Sequence, residues 1–99
     1  MITHIVSFRW KPETTPEQLE AISAALATMP ALVPSIGTYR FGADLGANSP
    51  NNNMDFAIVA TFDTIEDWKA YDEHPEHDAV RGAIIRPWIA ERAAVQFQH

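Results

Sequence analysis

The chain has 99 residues, no cysteine and a formal net charge of −6. An acidic surface repels phosphate backbones and anionic lipid, which argues against nucleic acid and membrane partners. The lack of thiols excludes disulfides and thiolate metal sites, and fits a cytoplasmic location. Hydrophobic residues make up 46% of the sequence, with three Trp and five Phe, and the length suits one domain over residues 1–99. So much apolar area in so short a chain is expected either in a well-filled core or against a second chain.

Met1-Ile2-Thr3-His4 carries neither a basic region nor a long apolar run, so no signal peptide is expected. From Ile2 to Trp10 the pattern alternates. Ile2, His4, Val6, Phe8 and Trp10 share one face of a predicted strand, and Thr3, Ile5, Ser7 and Arg9 the other. Thr15-Pro16-Glu17-Gln18 is a helix start, with Thr15 as N-cap, Pro16 at the first position and Gln18 able to close a capping box. Leu19, Ile22, Leu26 and Met29 follow at helical spacing, and Pro30 and Pro34 are expected to stop the helix. A short strand is predicted over Ile36–Phe41. Gly42–Asn53, rich in Gly, Asn, Ser and Pro, reads as a mobile loop that could lie over a cavity mouth.

Met54–Phe62 is the clearest strand. Met54, Phe56, Ile58, Ala60 and Phe62 lie on one face, and Ala57 and Val59 make the other half apolar, as in a strand covered on both sides. Thr64 caps a helix that places Trp68 and Tyr71 on a common side. Pro75 breaks it and opens another that runs through Val80 and Ile84, with His74 at the junction. Ala93, Val95 and Phe97 alternate as a last strand. The order β-α-β-β-α-β is the ferredoxin-like pattern of an α+β fold, a four-stranded antiparallel sheet with helices on one face. The apolar residues on its other face call for a cover, most simply a second copy related by twofold symmetry.

His4-Ile5-Val6-Ser7-Phe8-Arg9-Trp10-Lys11 and Tyr71-Asp72-Glu73-His74-Pro75-Glu76-His77 resemble the two hallmark segments of Dabb (stress-responsive A/B barrel) proteins, and the resemblance spans nearly the whole chain. It implies a homodimer closing a dimeric α/β barrel, with a cavity between each sheet and its helices. Within the family the sequence is similar to the olivetolic acid cyclase-like branch, whose members close a polyketide by aldol condensation. The catalytic Tyr and His of that branch fall on Tyr71 and His77, and its N-terminal His on His4. A further histidine of the branch falls on Phe56, which would make this cavity more apolar.

Tyr71 and His77 are therefore the candidate catalytic pair. His77 would act as base, and Tyr71 would hold an enolate oxygen or relay a proton if His77 hydrogen-bonds its hydroxyl. The start of a helix at Pro75 favours a neutral His77, whereas Glu76 and Asp78 favour the charged ring. His4, Phe56 and His74 are candidate substrate-binding residues, although His74 equally suits an N-cap. No metal is expected, because no pair of histidines has helical ligand spacing with a carboxylate in register. No cofactor is expected either, because no glycine-rich nucleotide motif occurs. Three functions remain open. One is a cofactor-free cyclase or lyase acting on a small apolar carbonyl compound. The others are a non-enzymatic stress-responsive dimer that binds a hydrophobic small molecule, and a cofactor-free monooxygenase-like barrel.

Overall fold

A computed structural model describes residues 1–47 and 52–99. It holds β1 (Ile2–Trp10), α1 (Pro16–Ala27), α2 (Met29–Leu32), β2 (Tyr39–Ala43), β3 (Phe56–Phe62), α3 (Ile65–Asp72) and α4 (Pro75–Val80). A π-helical turn (Arg81–Ile85), a 3₁₀ turn (Arg86–Trp88) and β4 (Ile89–Gln98) complete it. The four strands form one antiparallel ferredoxin-like sheet in the order β2-β3-β1-β4. The strand with apolar residues on both faces, β3, is interior to the sheet, as its pattern required.

Local chemistry explains the helix boundaries. Thr15 Oγ1 accepts the Gln18 amide at 3.3 Å while Gln18 Oε1 accepts the Thr15 amide at 2.8 Å, a closed capping box with Pro16 just inside the helix. Thr64 Oγ1 accepts the Asp67 amide at 3.1 Å and starts α3. Pro30 does not end the helical path outright. α1 stops at Ala27, and Pro30 enters the first turn of α2, where its missing N–H costs no hydrogen bond.

The second strand begins at Tyr39 rather than Ile36, and continues through Ala43 into the segment read as loop. Residues 36–38 instead form an approach held by the amide of Gly37 on the Thr61 carbonyl at 2.8 Å. A Cβ at Gly37 would sit 2.9 Å from that carbonyl oxygen, so the contact requires glycine. Replacing Gly37 with Ala is expected to destabilise the fold by roughly 1–3 kcal/mol, read as a lower urea midpoint with the slope unchanged. β3 starts at Phe56 and β4 at Ile89, two residues later and four residues earlier than the alternation of Met54 and of Ala93 suggested. Of the predicted loop, Asp44–Ala47 and Asn52–Asn53 lie outside any strand, and 48–51 fall outside the described residues.

The core lies between sheet and helices. Ile2, Val6 and Phe8 of β1 and Phe56, Ile58, Ala60 and Phe62 of β3 meet Ile22, Leu26 and Met29 there. The opposite face is uncovered in the protomer, leaving Val59 36%, Val95 56% and Phe97 48% exposed. The register places Ile5 between Val59 and Val95, so this is a contiguous apolar patch.

Candidate active site

The helix-facing side of the sheet and the helices above it enclose a cavity of about 130 Å³. A cavity on the order of 150 Å³ accommodates a benzene molecule, so this one encloses a ring or a short branched chain. Its sheet wall is His4, Val6 and Phe8 of β1, Tyr39 of β2 and Ile58 of β3. Its helix wall is Trp68, Tyr71 and Asp72 of α3, His77 and Val80 of α4, and Arg81 and Ile85 of the π turn. Arg86, Ile89 and Arg92 complete it.

The α3–α4 junction sets the position of His77. His74 has extended backbone, and its Nδ1 accepts the Glu76 amide at 3.1 Å, so the imidazole stands where Ser or Asp usually caps. Pro75 then enters the first turn of α4. Three residues on, His77 Nδ1–H donates to the Asp72 carbonyl at 3.3 Å. A carbonyl only accepts, so this bond fixes the proton on Nδ1 and leaves the Nε2 lone pair free.

The second lone pair of the same carbonyl takes Arg81 Nη2–H at 3.2 Å, while Arg81 also pairs with the carboxylates of Asp72 and Asp78, each at 3.0 Å. Arg81 thus ties the end of α3 to α4 and holds the carbonyl that orients His77. Burial, first, and the Arg81 charge lower the pKa of His77 below 6.5, opposed by the Asp72 hydrogen bond and carboxylate. Burial outweighs the carboxylates that favour the charged ring, and the ring is neutral at pH 7.

Tyr71 is 4% exposed, and its ring lies on that of His77, with centroids 4.0 Å apart and planes 32° from parallel. Contact between the two is therefore ring to ring, and no hydrogen bond joins the Tyr71 hydroxyl to His77, which was the condition set for a relay. The phenol faces Tyr39 instead. Burial raises both phenol pKa values, and the proximity of the two hydroxyls lowers that of Tyr71 and raises that of Tyr39 further. Neither the Tyr39 hydroxyl nor Trp68 Nε1 has a hydrogen-bond partner of good geometry among the described residues.

His4 enters from β1. Its Nδ1–H donates to Gln96 Oε1 at 3.1 Å, its ring stands 6.0 Å from that of Trp68, and burial lowers its pKa below 6.5. His4, Tyr71 and His77 thus share one cavity. Phe56 and His74 do not line it. Phe56 lies farther along the sheet in an aromatic cluster, 5.6 Å from Trp10 and 6.2 Å from Phe41 between ring centroids, and His74 spends its ring nitrogen on the cap. The described residues of the 44–53 segment do not line the cavity either, so its expected place over the mouth is not where they sit. Among the described residues no group of His and carboxylates has the arrangement of a metal site.

The Dabb family, the stress responsive A/B barrel domain, matches residues 2–99. The chain belongs to that family. No curated protein matches the sequence. Among solved structures, this Dabb chain is similar to a dimeric ferredoxin-like protein of unknown function from Thermobifida fusca, at 46% identity and a TM-score of 0.89, over 99% of this chain and 90% of that one. It is also similar to a dimeric ferredoxin-like protein from Bacteroides fragilis, at 26% identity and a TM-score of 0.82, over 99% of this chain and 95% of the other. The hydroxynitrile lyase of Passiflora edulis shares the fold at 19% identity and a TM-score of 0.85, over 97% of this chain and 90% of that enzyme. No helix among the described residues is long and apolar enough to cross a membrane.

Proposed function

We propose that this Dabb protein works as a homodimer, its two sheets meeting through their uncovered faces, and that each sheet–helix cavity is a cofactor-free acid–base site for a small carbonyl compound. One observation carries the reading: a neutral imidazole whose Nδ1 proton is committed to a backbone carbonyl, and which lines a mostly apolar cavity together with a buried tyrosine. His77 Nε2 takes a proton from the carbon beside the carbonyl, and the Tyr71 hydroxyl donates to the enolate oxygen that forms. Tyr39, whose buried hydroxyl has no partner of its own, stands beside Tyr71 as a second donor for the same oxygen. In an aldol closure the enolate carbon then bonds to a second carbonyl carbon, and the imidazolium returns its proton to the resulting alkoxide. His4, neutral as well, positions the substrate from the sheet side.

The volume narrows the substrate. About 130 Å³ holds the reacting ring or ketone head and not a long chain, so any polyketide tail would extend beyond the cavity. The test is exchange of α-protons in deuterium oxide, followed by proton NMR, over a panel of aryl and short alkyl ketones and β-diketones. Exchange above background is expected for members that fit. Its rate should be flat above pH 6.5 and fall below it, because His77 loses its lone pair only as pH drops towards its lowered pKa. A panel with no exchange at any pH rejects the acid–base reading and leaves a binding protein.

A further inference from the structure

The chain carries a net charge of −6, yet three of its five arginines, Arg81, Arg86 and Arg92, line one cavity, against a single carboxylate, Asp72. Arg81 is spoken for by Asp72 and Asp78. Arg86 and Arg92 make no ion pair among the described residues. Lys11, Arg40 and Lys69 make none among them either, so what calls for an explanation is that two unpaired guanidiniums line one cavity.

Position supplies one. Arg92 is on the helix-facing side of β4, opposite Phe8 in the register, and its charge is felt at both His4 and Tyr71. It also belongs, with His4 and Trp68, to a second, shallower cleft that runs out along Ala94, Val95 and Gln96. Arg92, His4 and Trp68 therefore stand where the enclosed space meets the surface. The interior beyond them is Val6, Phe8, Leu26, Ile58 and Ile85. The site is amphipathic along its depth, apolar at the base and cationic at the rim.

We propose that the natural ligand of this cavity is a small carboxylic acid, an aryl or branched-alkyl keto acid in the acid–base reading, whose carboxylate is held by Arg92 with Arg86 beside it. The guanidinium fork matches the two oxygens of a carboxylate and binds them through charge-assisted hydrogen bonds. The apolar body fills the base and brings the carbon next to the carbonyl towards His77. This assignment rests on the acid–base reading only for the keto group; the carboxylate preference stands without it.

Calorimetric titration with three probes of like shape, benzoate, benzamide and phenylphosphonate, tests it. Benzoate should bind the wild-type protein at least about tenfold more tightly than benzamide, with an affinity that falls as salt is raised. Replacing Arg92 with Gln should remove about tenfold or more of the benzoate affinity and leave benzamide unchanged. Replacing Lys69 with Gln removes the same charge from α3 outside the cavity and should change neither. Equal binding of benzoate and benzamide, retained benzoate binding after Arg92→Gln, or no benzoate binding at millimolar concentration each overturns the proposal. Tighter binding of phenylphosphonate than benzoate would replace the carboxylate by a phosphoryl group and also overturn it. Selective benzoate binding without α-proton exchange in any ketone would sink the acid–base reading alone, and exchange without benzoate selectivity would sink this assignment alone.

Discussion

Alanine in place of His77 should reduce α-proton exchange by about 10²–10⁴-fold, the usual contribution of a positioned general base, while the protein stays folded. The imidazole is half-buried at the edge of the cavity, so its loss enlarges an existing space rather than opening a hole in the core. Its one hydrogen bond, to the Asp72 carbonyl, has a substitute, because Arg81 already donates to the same oxygen. The face of Tyr71 now covered at 4.0 Å would open to the cavity, which leaves room for added imidazole. Recovery of exchange on adding imidazole, with an unchanged sedimentation coefficient, separates loss of the base from loss of structure. Exchange that persists in the alanine variant would remove His77 from the chemistry. Arg81→Met gives the companion result. It frees the Asp72 carbonyl and both carboxylates, so a mispositioned His77 should show as a lower rate together with a shifted pH profile.

How much of this was readable in the residues follows from where each signal is stored. Period-two alternation depends only on which face meets the helices, so the strand over Ile2–Trp10 runs as read and the one read over Met54–Phe62 loses only its first two residues. Caps are equally local, and Thr15, Thr64 and His74 each accept the amide that their position calls for. The second strand slipped because its start is set by Gly37 meeting Thr61, 24 residues away, and no local pattern encodes that contact.

In the site, Tyr71 and His77 could be placed through the resemblance of Tyr71–His77 to the Dabb hallmark segment, and His4 through that resemblance together with strand parity. The residues that surround them came from tertiary geometry. Tyr39 reaches Tyr71 because β2 is an edge strand beside β3, and the Asp72 carbonyl reaches His77 because Pro75 turns the chain. Arg92 did leave a trace. If Ala93, Val95 and Phe97 form one face of the last strand, then Arg92 and Gln96 must look towards the helices. A cation and an amide on an inward face call for a partner or a ligand. Gln96 meets His4, and Arg92 meets the cavity rim. Phe56 left no such trace of its place outside the cavity. It shares the inward face with His4 and pairs with the cavity-lining Phe8, yet its ring packs in the cluster with Trp10 and Phe41, which strand parity does not reveal.

Aspartate in place of Val59 should convert the dimer to a folded monomer. Val59 is central to the uncovered face, paired with Ile5 on β1 and Arg40 on β2, and with Val95 beyond Ile5. In the lone protomer it is 36% exposed, so a carboxylate there remains hydrated and the sheet beneath it keeps its hydrogen bonds. Between two sheets the same carboxylate would lose its water, at a cost of several kcal/mol, and twofold symmetry would place a second one nearby. Arg40, directly across the strand pair, is the obvious rescue. An exposed pair of that kind contributes about 0–1 kcal/mol, well short of the desolvation cost. The charge therefore favours separation. Sedimentation velocity at micromolar concentration should show the monomer mass, with the far-ultraviolet circular dichroism of the wild type and a lower Tm from the apolar area left wet. Val95→Asp, with no arginine opposite, should do the same at least as completely. A variant that sediments as the wild-type dimer would mean that the sheets do not meet through this face, and the apolar patch of Ile5, Val59, Val95 and Phe97 would then need a different partner.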